Sequence, residues 1–288
     1  MMSDINTASN KEKPGLDTYH SGWVSYFLAI HVVGAVGMVY GVFGAAWATI
    51  VFTIVYYFLC HLAITIGAHR LCAHRTFRTT KPFQYVLVLL FSGVMQGPIT
   101  WWAGKHRLHH EKSDVRGEDP HTPEDGFLHA HIFWQLKRRG LAPPPTRHVL
   151  AFGRPEFSPA MWQTRRYMVL GILMAFVVPT AFCALWSDWL GGLLVGGFAR
   201  LLFQYHLTWI VNSIGHTWGE HHGGGSTNQR GLLGQFLAIM TVGESNHASH
   251  HDAPLSYRIG RDPGQIDPGA RVLEILAWLG IVSELKTK

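Results

Sequence analysis

The sequence predicts an all-α integral membrane protein: four transmembrane helices in two hairpins carry a cytoplasmic, histidine-rich helical cap. Three observations predict this. Residues 23–68 run 46 positions without Asp, Glu, Lys or Arg, enough for two crossings at roughly 20 apolar residues each. Residues 167–211 contain only two formal charges, Asp188 and Arg200, and so supply a second pair. Of the 24 Lys and Arg, 2 precede residue 23, 15 fall between 69 and 166, and 7 lie from Arg200 onward. The positive-inside rule then puts both chain ends and the middle segment in the cytoplasm.

Each element follows in order. Residues 1–22 are polar and show no cleavable signal, so they are expected to form a cytoplasmic N-terminal segment. Residues 23–66 form the first hairpin and 67–166 the first half of the cap. Residues 167–211 form the second hairpin, broken near Trp186-Ser187-Asp188, and 212–288 complete the cap. Within the first half, segment 83–102, FQYVLVLLFSGVMQGPITWW, is uncharged and long enough to cross. A crossing there would strand His69 and His74 on the opposite side from the later histidines. It is therefore expected to lie in the interface or under the cap, interrupted at Gly97-Pro98. Segments 232–242 and 272–281 are too short to span. Cys60, Cys72 and Cys183 form no CxxC pair, and no disulfide is expected. The net charge of +6 needs no nucleic acid; anionic lipid or an acidic partner explains it.

The 19 histidines matter through their grouping. His69 and His74 stand in HRLCAHR, His106, His109 and His110 in HRLHH, Asn212 and His216 in NSIGH, and His247, His250 and His251 in HASHH. Helix positions i, i+3 and i+4 share a face, so the second and fourth groups each aim three imidazoles one way. Asn212 shares the face of His216. The spacing of His69 and His74 does not stack on a regular helix, which places that pair across the cytoplasmic end of the second span. A lone histidine is ordinarily a hydrogen-bonded or surface residue, but nine in repeated HxxHH-type spacing point to metal. Neutral imidazoles suit iron, zinc, copper or nickel, and nine exceed the needs of one ion. Neither half of the cap holds the full set, so the cap must be one domain.

These residues resemble the membrane-bound fatty acyl desaturases, in particular the acyl-CoA delta-nine type. The matching stretches are HRLCAHR at 69–75, HRLHH at 106–110, TWIVNSIGH at 208–216 and GESNHASHH at 243–251. Pro263-Gly264-Gln265 and Asp267-Pro268-Gly269 look like the tail of the bacterial members. The resemblance runs from about the first span to near the C-terminus. It implies a di-iron centre that uses dioxygen and two electrons to remove two hydrogens from adjacent methylenes. The implied ligands are His69, His74, His106, His109, His110, His216, His247, His250 and His251, with Asn212 weaker and through water. No catalytic residue beyond the metal centre is expected. The implied substrate is a fatty acyl thioester or acyl lipid, and the implied location a bilayer, the bacterial inner membrane. No haem is expected, no fused cytochrome domain is visible, and electrons would come from a separate donor protein. The chain departs from the pattern around His247, where Asn246 precedes and Ala248 follows in place of an aromatic residue and Asn; the ligand spacing survives.

Weaker candidates surround this set. Asp114, Asp119, Glu244 and Asp252 lie close in sequence to ligand histidines and can hold their outer N–H groups, or simply face solvent. Trp101 and Trp102 line a substrate tunnel or belong to an interfacial aromatic belt. Arg200 is costly inside an apolar block and is expected at its cytoplasmic boundary or beside the site. The run Lys137-Arg138-Arg139 suits an acidic donor or a phosphate-bearing acyl carrier, and equally a solvated or lipid-facing cluster. His31, His61 and His206 sit in apolar blocks and His121, His129, His131 and His148 are unassigned. Competing functions are a related di-iron hydroxylase, ketolase or acetylenase and, outside catalysis, a membrane metal transporter or a cytochrome b-like carrier. The last two need ligands at mid-membrane or paired between spans.

Overall fold

The computed structural model describes residues 18–221 and 225–287. The first 17 residues of the expected N-terminal segment, and two glycines of the 223–225 loop, lie outside the described residues. Three helices are long and apolar enough to cross a membrane, Ser21–Phe43, Trp47–Ala73 and Tyr167–Trp186. The remainder of the expected second hairpin is helical too: Trp189–Gly191, Gly192–Ala199 and Arg200–Thr217 follow one another without a break. Arg200, Gln204 and His206 lower its hydropathy, and it is not among the three.

Close packing joins this stretch to the first helix. A Cβ on Gly37 would collide with the Leu194 carbonyl, and one on Gly34 would lie 2.9 Å from Leu202 Cβ, so small residues let the backbones approach. The outer face of the first helix is apolar and open, with Val32, Val39 and Phe43 exposed, as a lipid-facing surface must be.

One carboxylate fastens the two hairpin tips. The second hairpin turns at Ser187, whose left-handed φ is 65°, and Asp188 follows. Asp188 caps the next helix through Gly191 N at 3.0 Å and reaches across to the first hairpin. There it accepts hydrogen bonds from Ala46 N at 2.8 Å, Thr49 Oγ1 at 2.6 Å and Tyr40 Oη at 3.3 Å. The tip is thus the end of the hairpins remote from His69, which lies 22 residues along the second helix, about 33 Å at 1.5 Å per residue.

Segment 83–102 is divided between two helices, Lys81–Ser92 and Ile99–Lys112, parted by an irregular stretch at 93–98, and neither is among the three helices long and apolar enough to cross a membrane. The short apolar runs give the Gly231–Met240 helix, which exposes Leu232 and Phe236, and the Pro268–Trp278 helix, capped by Asp267. All three cysteines are free and buried. The C-terminal part closes on the Ala63–Ala73 stretch through Arg70. Its guanidinium donates to Asp267 at 2.7 Å and to the Tyr257 carbonyl at 2.8 Å. A buried charge holds its place only when paired and hydrogen-bonded this way. Asp267 also accepts Ile259 N at 2.7 Å, and strand Arg78–Thr79 pairs antiparallel with Val282–Ser283.

Removing the tip carboxylate leaves its donors unpaired. Asp188→Ala is expected to destabilise the protein by about 1–3 kcal/mol, seen as a lower melting temperature in detergent with the metal content unchanged. An unaltered melting temperature would show that the tips are held by packing alone.

Candidate metal centre

The second membrane helix changes character before it ends. From Ala63 to Ala73 it is π-helical, with His74 N bonded to His69 O at 3.0 Å. A π-turn links residues five apart, so His69 and His74 do share a face, their rings edge to face with centroids 4.9 Å apart. A regular α-helix would have turned them to different faces, which is why the spacing looked unsuitable for stacking.

The other ligand candidates sit on three regular helices. Ile99–Lys112 carries His106, His109 and His110, Arg200–Thr217 carries His216, and His247–Asp252 carries His247, His250 and His251. The nine imidazoles gather into two groups: His69, His74, His106, His110 and His250 in one, and His109, His216, His247 and His251 in the other. In each HxxHH helix the i and i+4 rings go to one group and the i+3 ring to the other. The 3.6-residue turn thereby splits one face between two centres. Each group draws on histidines from both sides of the 167–211 block.

Inside each group it is the Nε2 atoms that converge. The contacts are His69 to His250 at 2.9 Å, His106 to His74 at 2.8 Å, and His110 to His106 at 3.0 Å and to His250 at 2.8 Å. In the second group they are His216 to His247 at 2.8 Å, His251 to His247 at 3.1 Å and His109 to His251 at 3.2 Å. A neutral imidazole has one N–H and one lone pair. Several rings facing inward through the same nitrogen cannot all be satisfied by protons, whereas a cation at the point of convergence satisfies every lone pair. The residues therefore fit metal. Burial, reinforced by the neighbouring imidazoles, holds His74, His106, His109, His110, His247 and His250 well below the ordinary histidine pKa, and His251 at about 3. The rings stay neutral and their lone pairs stay available.

Carboxylates meet the outer nitrogens of three of the nine. His69 Nδ1 lies 2.7 Å from Glu244, His109 Nδ1 2.9 Å from Asp119 and His216 Nδ1 3.0 Å from Asp114. This arrangement fixes the tautomer that turns Nε2 inward. Glu244 also accepts the Thr65 hydroxyl. Burial alone would raise its carboxyl pKa, but the adjoining His69 ring and the hydrogen bonds outweigh burial and lower it. Asp119 accepts the backbone N–H groups of Asp114 and His121. Asp252 is exposed and has no hydrogen bond to a histidine among the described residues. Asn212 is half-buried one turn before His216.

Some site residues were not visible in the sequence. His121 is buried with its ring 4.3 Å from His109; its only sequence signal is its position two residues after Asp119. Arg107, between the ligand candidates of its helix, donates to the carbonyls of Cys72, Ala73 and His148 and so binds that helix to the end of the π-helical turn. Trp102 stacks on His106 at 5.4 Å and donates to Gln96, which donates to Thr208. Trp101 stands farther out, in the wall of a cavity of about 210 Å³ shared with Phe27, Met95, Gln96 and Tyr167. His206 contacts both His31 and His131, and all three rings meet Trp209.

Comparison with known proteins agrees with this chemistry. Residues 45–259 match the family model described as fatty acid desaturase. A probable acyl-CoA desaturase of Schizosaccharomyces pombe is 33% identical over 258 residues, 86% of this chain and 52% of that protein. The chain thus spans about half the length of that relative. A Delta(9)-fatty-acid desaturase of Caenorhabditis elegans is 33% identical over 273 residues, covering 92% of this chain and 78% of that protein. An (11Z)-hexadec-11-enoyl-CoA conjugase of Bombyx mori is 31% identical over 266 residues, 91% of this chain and 79% of that protein. On the extent of these matches, the chain belongs to the fatty acid desaturase family.

Proposed function

We propose that the chain is an oxygen-dependent fatty acyl desaturase whose two histidine groups hold two iron ions. The convergence of nine Nε2 atoms into two adjoining groups carries this reading. His69, His74, His106, His110 and His250 would hold one ion. His109, His216, His247 and His251 would hold the other, with Asn212 beside it through water. When bound, the irons supply dioxygen reduction and hydrogen removal: a CH2–CH2 unit, dioxygen, two electrons and two protons give CH=CH and two waters. The chain's own part is to keep the imidazoles neutral, to fix their outer nitrogens with Glu244, Asp119 and Asp114, and to keep water from the site with apolar surroundings.

The substrate is a fatty acyl chain carried as a thioester or lipid. Its reacting carbons offer no polar handle, so position along a walled channel must select them. The cavity beside Trp101 is a segment of that channel, and Gln96 and Trp102 connect its wall to His106. Gln135 and Leu141 of the same wall flank Lys137-Arg138-Arg139, which suits a phosphate-bearing carrier or an acidic donor. Electrons come from a separate protein, and haem has no part in the site.

The stretch from Trp189 to Thr217 is the fourth crossing. Its one charge, on Arg200, is met by backbone and side-chain oxygens inside the bundle, the condition under which a membrane helix keeps an arginine. Both chain ends and the histidine cap face the cytoplasm, as the 24 cationic residues indicate, and the bilayer is the bacterial inner membrane.

Two outcomes test this. Expressed aerobically in a bacterium lacking oxygen-dependent desaturases, with a compatible electron donor, the intact protein should yield an unsaturated acid by gas chromatography–mass spectrometry that His109→Ala does not. A hydroxy acid in its place would move the reading to a hydroxylase. Glu244→Ala removes the acceptor for His69, and metal affinity should fall about 10–100-fold in competition with a chelator. Unchanged affinity would show that Glu244 does not orient its ligand.

A further inference from the structure

Arg200 is 2% exposed, and among the described residues no carboxylate pairs with it. Its Nε donates to Gly196 O at 2.8 Å, its Nη1 to Gln204 Oε1 at 2.7 Å and its Nη2 to Gly93 O at 2.9 Å. The guanidinium lies 5.0 Å over the Tyr56 ring. Two of these acceptors belong to its own helix. Gly93 alone belongs to another element, the end of the Lys81–Ser92 helix, where carbonyls lack helical partners.

The chain beyond Gly93 is irregular through Pro98, and polar groups from neighbouring helices brace it. Met95 has a left-handed φ of 49° and Gly97 one of 93°. A non-glycine residue stays in that region only where its surroundings hold it. Tyr205 Oη donates to Met95 O at 2.9 Å, and Gly97 N donates to Tyr167 Oη at 3.1 Å. The side chains that this turn presents, Met95 and Gln96, form cavity wall. Gln96 is tied to Thr208 at 2.9 Å and to Trp102 at 3.1 Å, and Trp102 stacks on His106. Arg200, Tyr205 and Thr208 are successive contacts of the helix that later carries His216. The helix that contributes to one histidine group therefore also clamps the cavity wall.

We infer that Arg200, together with Tyr205 and Tyr167, is a positioning set that fixes the 93–97 turn relative to the histidine groups and so determines which carbon–carbon bond of the acyl chain is desaturated. This rests on the desaturase reading above. Arg200 and Tyr205 act through Gln96 and the turn, at a distance from the reacting carbons, while Tyr167 braces the turn and also lines the cavity itself. A one-carbon slip of the chain needs only a small shift of this wall, so loss of a brace should blur position before it abolishes turnover.

The test compares Arg200→Gln, Tyr205→Phe and Tyr167→Phe with the parent in the expression assay, locating the double bond by mass spectrometry. Each phenylalanine removes one hydroxyl, so those two variants decide the matter if Arg200→Gln does not accumulate. The ratio of the main positional isomer to its neighbours should fall about tenfold, the kinetic equivalent of about one lost hydrogen bond. Hydrogen–deuterium exchange of the detergent-purified proteins should show faster exchange at 93–97 and unchanged exchange around His247. Variants that keep the parental bond position, at whatever yield, or that leave exchange at 93–97 unaltered, overturn the inference. If the parent itself makes no unsaturated acid, the desaturase reading fails in that arm, and the exchange data still decide whether the clamp exists.

Discussion

An imidazole that is buried and neutral offers one proton and one lone pair, and nine of them brought together through the same nitrogen compete for protons that are too few. That shortage is the constraint on which the rest of the structure depends. The rings must be held neutral, which burial and mutual crowding do for His74, His106, His109, His110, His247, His250 and His251. They must be turned with Nε2 inward, which outer carboxylates do for His69, His109 and His216. Their helices must also be fixed relative to one another, because a cluster drawn from four segments is only as well placed as its supports. Arg107 tying one ligand helix to the carbonyls of Cys72 and Ala73, and Arg70 tying the C-terminal part to Asp267, are those supports.

The long apolar helices serve the same end from a distance. Asp188 closes them at one tip, close glycine contacts set the first helix against the Trp189 to Thr217 stretch, and the histidine-bearing ends emerge together. In this arrangement Arg200 is a brace on the turn that forms part of the cavity wall. Its cost inside an apolar block is offset by three neutral acceptors and an aromatic face, which together fix the guanidinium in one orientation.

Much of this was legible in the sequence because it depends on period and polarity. Uncharged length gave the three apolar helices, and HxxHH spacing gave ligand helices whose rings share a face. The sequence did not show that the i and i+4 rings would part from the i+3 ring, since that depends on where the partner helices lie. It also mispriced the five-residue step from His69 to His74, because the π-helical turn that brings them to one face is set by tertiary packing and carries no sequence period. Arg200 stood out in the sequence as a costly charge in its apolar block, but its burial, shared with Gln204, is intelligible only from the Gly93 carbonyl beside the guanidinium. Glu244, Asp119 and Asp114 were nameable as neighbours in sequence, like Asp252, and only the folded chain separates the three that touch a ring from the one that does not.

The central claim is that these nine histidines form a two-metal centre, and metal stoichiometry addresses it most directly. Protein produced aerobically with iron supplied, purified in detergent and measured by inductively coupled plasma mass spectrometry against quantitative amino-acid analysis, should contain two iron ions per chain. One ion or fewer per folded chain, with iron in excess throughout, would contradict the account.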